Sequence, residues 1–389
     1  MAPDTSTGPV TIGSLTQLLA APALGHWYLF GYDVIPSGKI TVTLSAGSST
    51  ISKAVCVAGL STFADLNGYR TNTAVTASVS YSGFAYVANF NSANVSVIDT
   101  STNAVTATVT VGTSPWGVAV SPDGLHVYVV NNGSGTVSVI STATNTVSAT
   151  ITVGSGPRGV AVSPDGLHLY VVNTGNNTVS VISTVTNTVS ATVTVDSAPQ
   201  FLAVTPDGLH VYVVNNVSGT VSVISTATNT VVATVATAGL PVYAAVTPDG
   251  LYVYVTGSPN GSVSVIATAT NTVVATVALD TGLQGVVVSP DGLHAYVVNP
   301  TPKAVSVIAT ATNTVVATVS VGSTPEAIAV SADGLYVYVT NGGDNTVSVI
   351  STATNTVVAT ITVNTLPRGI AMTPLPATRQ IILRYAIGP

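Results

Sequence analysis

Apolar and polar positions alternate with a period of two along most of this chain, and the alternation is packaged in a unit that returns every 42 residues. The turn glycines Gly124, Gly166, Gly208, Gly250, Gly292 and Gly334 mark the repeat. Within one unit, Val147, Ala149, Ile151 and Val153 alternate with Ser148, Thr150 and Thr152, which predicts a strand with one buried face. His126–Asn131 and Thr136–Ile140 predict two more strands, and Gly159–Val162 a short fourth made of small and apolar residues. Between them lie Asn131–Gly135, Ser141–Asn145 and Gly154–Pro157, whose Asn, Gly and Pro are turn formers; Asn145 is the expected left-handed residue of its hairpin.

Four short antiparallel strands in a unit of this length make a β-propeller blade. So small a sheet cannot bury both faces alone, and a radial arrangement packs each blade on two neighbours. Three-strand sets begin near Phe84, His126, His168, His210, Tyr252, His294 and Tyr336. Inner strands begin near Gly117, Gly159, Phe201, Tyr243, Gly285, Ala327 and Gly369. Both series count seven, so the last inner strand completes the first blade and ties the array shut. The expected fold is therefore all-β, a propeller of seven four-stranded blades over residues 81–373, with eight blades as the competing count. An eight-bladed ring would use Thr76–Val79 as an inner strand. Residues 1–80 read as a small β-rich module or cap, with strands at Pro9–Ile12, Trp27–Val34 and Lys39–Leu44 and a turn or two of helix in Leu15–Leu24. The tail, 374–389, is too apolar to dangle and is expected to pair with that module or with another chain.

Composition narrows the function classes. Only 6% of residues are charged and the net charge is -6, so the clustered Lys and Arg that nucleic acid requires are missing. No apolar run reaches the length of a transmembrane helix, so membrane insertion is not expected. The single cysteine, Cys56, forms no internal disulfide and reads as a small buried hydrophobe. Met1-Ala2-Pro3-Asp4 lacks the basic start of a signal peptide.

Candidate chemistry must break the repeat, because a residue present in every blade serves the blade. His126, His168, His210 and His294 hold one equivalent position, a blade apart, and cannot converge on a metal. Asp123, Asp165, Asp207, Asp249, Asp291 and Asp333 precede the turn glycines and bond the backbone of their own turns. No metal site and no cofactor is expected. The position just before the inner-strand start is different: it reads Trp116, Arg158, Gln200, Val242, Gln284, Glu326 and Arg368 around the ring. Six of these follow a proline, and Gln284 follows Leu283. An aromatic, two guanidiniums, two amides and the only glutamate in the chain should therefore share one mouth of the channel, as a candidate ligand-binding rim.

Tyr338-Val339-Thr340-Asn341, Thr346–Ile350, Thr354–Val358 and Ser331-Ala332-Asp333-Gly334 resemble the YVTN-type β-propeller repeat found in surface-layer and secreted proteins. Tyr128-Val129-Val130-Asn131 and Tyr254-Val255-Thr256-Gly257 depart from the four-letter motif. The resemblance implies the propeller fold and an extracellular or cell-surface placement. With it, the low charge and uniform blades favour a non-catalytic structural, adhesive or assembly-forming protein rather than an enzyme. Its partner would be a protein or a glycan, with self-association through the N-terminal module and the C-terminal tail. A small-ligand or glycan-binding propeller using the rim is the alternative. A lactonase- or lyase-like enzyme is the less favoured one, since no histidine joins Glu326, Arg158 and Arg368.

Overall fold

The computed structural model describes residues 83–374 in full and, outside them, the backbone of the strands Val10–Thr11, His26–Phe30, Lys39–Ala46, Ser49–Val55, Ala64–Asp65, Val75–Ser82 and Gln380–Ala386. Every element among the described residues is a strand. Two compact units result, Phe84–Pro374 and Met1–Gly83 with Leu375–Pro389. In the smaller unit, Lys39–Ala46 lies between Ser49–Val55 and Val75–Ser82, and Gln380–Ala386 lies between Val10–Thr11 and His26–Phe30. The apolar tail thus pairs with N-terminal strands of its own chain. The expected helical turns at Leu15–Leu24 and the burial of Cys56 lie outside the described residues.

The larger unit consists of seven four-stranded antiparallel blades. Six read from the axis outward in chain order, as Pro115–Val120, His126–Asn131, Thr136–Ser141 and Thr146–Thr152 do. The seventh takes its inner strand, Pro367–Met372, from the far end of the array and sets it against Phe84–Asn89, with Ala371 opposite Tyr86. Seven-fold closure therefore holds. The eight-bladed alternative fails because Val75–Ser82 pairs with Lys39–Ala46 instead of serving as an inner strand.

In six blades a Pro-Asp-Gly or Ala-Asp-Gly turn joins inner strand to second strand. Asp123 accepts hydrogen bonds from the Ser121 hydroxyl and the Leu125 N–H, and Gly124 supplies φ of 72°. The closing blade has no such turn. Thr373 N–H still donates to the Phe84 carbonyl, and Phe84 N–H to the Thr373 hydroxyl, which reproduces the bonds between Ser121 and His126. The turn's frame is kept although its two halves come from opposite ends of the array.

Each hydrophobic cluster is shared between blades. Tyr128, Val130, Val137, Val139 and Ile151 pack against Leu169, Val171 and Ile182 of the next blade. The buried tyrosines reach across the same seams: Tyr212 and Tyr254 donate to the hairpin residues Asn271 and Asn313, both at 2.7 Å, and Tyr338 reaches Asn103 across the closing seam at 3.2 Å. Those asparagines have positive φ, as expected for Asn145 and found there at 52°. The Asn that ends most second strands is also structural. Asn131 donates to Thr136 and Ser138 on the third strand, both at 3.0 Å.

The inner strands crowd the axis. A Cβ placed on Gly369 would lie 2.1 Å from the Trp116 carbonyl oxygen, and one on Gly117 would lie 2.3 Å from that of Arg158. Backbone cannot yield as a flexible side chain does. Gly369→Ala is therefore expected to lower unfolding free energy by about 1–3 kcal/mol, the usual cost of overpacking. Denaturant melts would measure it, and an unchanged midpoint would show that the ring opens to admit a methyl group.

Candidate functional site

The crowding at the axis fixes where functional side chains can go. With glycine at Gly117, Gly159, Gly285 and Gly369, the preceding residue in each strand is the first with a side chain at the channel mouth. Trp116, Arg158, Gln200, Val242, Gln284, Glu326 and Arg368 all line one cavity of about 330 Å³, together with Phe201, Asn216, Leu240, Ser258 and Pro259. The structure thus brings together every rim residue that the sequence singled out.

Five of the seven form a continuous arc. Arg368 is ion-paired with Glu326 of the preceding blade. Its guanidinium carbon lies 5.0 Å from the centroid of the Trp116 ring, and that of Arg158 lies 4.3 Å from the same centroid. Arg158 in turn donates to the amide oxygen of Gln200. Phe90 meets Trp116 edge-on, with centroids 5.4 Å apart and planes at 85°, and steadies the platform.

Burial sets the electrostatics. The side chain of Glu326 is only 7% exposed, and desolvation pushes its carboxyl above the ordinary carboxylate range. Arg368, through charge and hydrogen bond, and then Arg158 oppose that rise without cancelling it. Burial likewise lowers the pKa of Arg158; Glu326 works against this drop and Arg368 adds to it. Arg158 has no carboxylate of its own among the described residues. The Nε atoms of Arg158 and Arg368 and the indole nitrogen of Trp116 are buried without a hydrogen-bond partner, and all three are donors.

Two aromatic residues interrupt the glycine series. Phe201 and Tyr243 stand where other blades have Gly or Ala, and they stack at 3.7 Å with planes 18° apart. The Tyr243 ring is half-buried, but its hydroxyl is fully buried and burial holds its pKa well above the usual value. That hydroxyl faces the Trp116 indole without closing a hydrogen bond of normal geometry.

The backbone under the site is cross-linked where it matters. The Thr340 hydroxyl accepts from Ala327 N–H at 2.9 Å and donates to the Arg368 carbonyl at 3.0 Å, so it couples the strands that carry Glu326 and Arg368. Thr256 does the same for Tyr243 and Gln284. Gly285 N–H donates to the Glu326 carbonyl at 2.9 Å. The equivalents of Thr340 and Thr256 are Ala88, Val130, Val172, Val214 and Val298. Reading the sequence for turn residues and charges passed over these two threonines, as it did Phe90, Phe201 and Tyr243. The available signal was the hydroxyl in the third letter of the Tyr-Val-Thr copies, set against valine or alanine in the others.

Two comparisons bear on what this site is. A family model described as "Lactonase, 7-bladed beta-propeller" matches residues 56–196 and 184–314, well over half of the chain. No curated protein sequence matches. Among solved structures, the fold is shared with a periplasmic gluconolactonase of Pseudomonas aeruginosa, at 20% identity and TM-score 0.65 over 76% of this chain and 100% of that one. It is shared with a putative 6-phosphogluconolactonase of Bacteroides uniformis, at 17% identity and TM-score 0.66 over 75% and 99%. Hydrazine synthase of Kuenenia stuttgartiensis also has it, at 21% identity and TM-score 0.62 over 70% and 96%. At these identities the likeness is one of fold.

The family match overturns the expectation of a non-catalytic structural or adhesive protein that is not an enzyme. It supports a propeller family and does not extend to the surface-layer assignment that the Tyr-Val-Thr-Asn copies resemble. That expectation weighed the missing histidine and the single carboxylate as deficits. It did not count burial, which raises the pKa of the one carboxylate even though it is paired with Arg368. With its matched segments taking in strands of six of the seven blades and its ring closed at seven, the chain belongs to the lactonase family of seven-bladed β-propellers.

Proposed function

We propose that the protein hydrolyses a small lactone at the channel mouth, with Glu326 as general base and Arg368 as the group that holds it and stabilises the oxyanion. The observation that carries this reading is the buried Glu326 carboxyl, raised in pKa and paired with Arg368 in the cavity. Family membership supports the reaction class, and the two lactonases that share the fold support a sugar-type lactone. The periplasmic neighbour supports a place outside the cytoplasm.

The steps follow from the arrangement. Water adds to the lactone carbonyl carbon as the Glu326 carboxylate takes its proton. The carbonyl oxygen becomes an oxyanion and accepts hydrogen bonds from the remaining N–H groups of Arg368, which burial in a small cavity strengthens. The tetrahedral species collapses, the ring C–O bond breaks, and the leaving oxygen takes the proton back from Glu326. The product is an open hydroxy acid that ionises and leaves. Trp116 fixes both guanidiniums, so that neither must be reorganised during the reaction.

Because Glu326 is the only glutamate, labelling glutamate with ¹³C at the carboxyl carbon gives one resonance whose titration reports this group directly. The midpoint is expected above 4.5, the ordinary value, and Arg368→Met is expected to move it further up by removing the strongest opposing influence. Folding raises this pKa, so the group's contribution to stability is fully present below the unfolded pKa and is lost as pH rises through the folded one. A midpoint at or below the ordinary value would contradict the site's electrostatics.

Glu326→Gln keeps the size and a hydrogen-bond acceptor for Arg368 but cannot take a proton. It is expected to lower kcat for lactone hydrolysis by about 10²–10⁴-fold. The wild-type rate should rise with pH through the raised Glu326 midpoint, and that limb should vanish in the variant. If the wild-type protein opens no lactone faster than Glu326→Gln does, the proposed reaction is wrong.

A further inference from the structure

The charges around the cavity do not balance. Arg368 is matched by Glu326, whereas Arg158, which lines the same cavity, has only the neutral Gln200 amide. Arg158 is partly buried, and a guanidinium that loses water without a counter-charge carries a cost that a ligand anion offsets. The Arg158 guanidinium is held in place on one side by the Trp116 face at 4.3 Å and on the other by Gln200. Its Nε–H is buried and unpartnered. With the Gln200 oxygen occupied by Arg158, the NH₂ of that amide remains as a donor beside the guanidinium. Two neighbouring donors with one net positive charge match the two oxygens of a carboxylate.

We infer that Arg158 and Gln200 form a carboxylate subsite, and that the preferred substrate is a lactone of a sugar acid carrying one free carboxylate. This rests on the proposed lactone hydrolysis and narrows it. The charge count decides against a phosphorylated lactone: the ionised rim carries two positive charges and one negative, so a monoanion leaves it neutral and a phosphate dianion overshoots. Lys303, the one other Lys or Arg among the described propeller residues, does not line the cavity. A volume of about 330 Å³ lies at the small end of ligand pockets and suits a single hexose-sized ring. The remaining polar lining, Gln284, Asn216 and Ser258, is uncharged and suited to hydroxyl groups.

The test has a kinetic and a binding arm. In the first, wild-type protein is assayed with gluconolactone, with glucarolactone bearing its free carboxylate, and with 6-phosphogluconolactone. Glucarolactone is expected to show at least a tenfold higher kcat/KM than either of the others. Arg158→Gln should abolish that preference, chiefly through KM. In the second arm, calorimetry compares glucuronate, glucose and glucose 6-phosphate, none of which is a lactone. Glucuronate should bind about tenfold more tightly than the other two, and Arg158→Gln should remove the difference. Equal kcat/KM for the three lactones, or preference for the phosphorylated one, overturns the carboxylate subsite while lactone hydrolysis stands. Selective glucuronate binding with no lactone turned over keeps the subsite and removes the reaction. The wild-type comparisons decide the matter even if the variant fails to fold.

Discussion

Seven inner strands converge on one axis, and the distance left between their backbones governs everything built around it. Gly117, Gly159, Gly285 and Gly369 face neighbouring backbone so closely that a methyl group would collide with it. At those four positions no side chain fits, and the strand's first side chain comes one residue earlier, at the channel mouth. The same geometry that closes the ring therefore gathers Trp116, Arg158, Glu326 and Arg368 into one cavity. Closure by Pro367–Met372 is part of this, because it brings Arg368 beside Trp116, which lies some 250 residues away in sequence.

The array is nearly symmetric and the site is not. Each departure from the repeat near the axis has a visible physical use. Phe201 and Tyr243 replace small residues and stack on each other, and Phe201 lines the cavity. Thr340 and Thr256 replace valine and exchange apolar contact for hydrogen bonds between adjacent inner strands. Glu326 sits where it loses most of its water and is compensated chiefly by one guanidinium. Rigid blades, each held to the next by apolar clusters and tyrosine–asparagine bonds, make that expensive arrangement tolerable.

Much of the fold was legible because it rests on local chemistry repeated many times. Period-two alternation, Asp-Gly turns with positive φ and hairpin asparagines each specify structure within a few residues. Their recurrence gave strand order, blade count and the closing strand. The rim was legible for the opposite reason: at a position fixed by the repeat, variation from Trp to Arg to Gln to Glu stood out. What misled was reading function from inventory, with a low charge, no convergent histidine and one carboxylate taken as a sign of an inert surface protein.

The sequence by itself determined the seven-bladed ring and the residues that share its mouth, since both follow from periodicity and from counting. Only the tertiary structure decided what those residues are to one another. The Trp116 platform between two arginines, the pairing of Arg368 rather than Arg158 with Glu326, and the desolvation that raises the Glu326 carboxyl all depend on side chains from different blades meeting in one cavity. Desolvation and charge pairing act through space over a few ångströms, between residues one or more 42-residue repeats apart in sequence, and no local pattern records them.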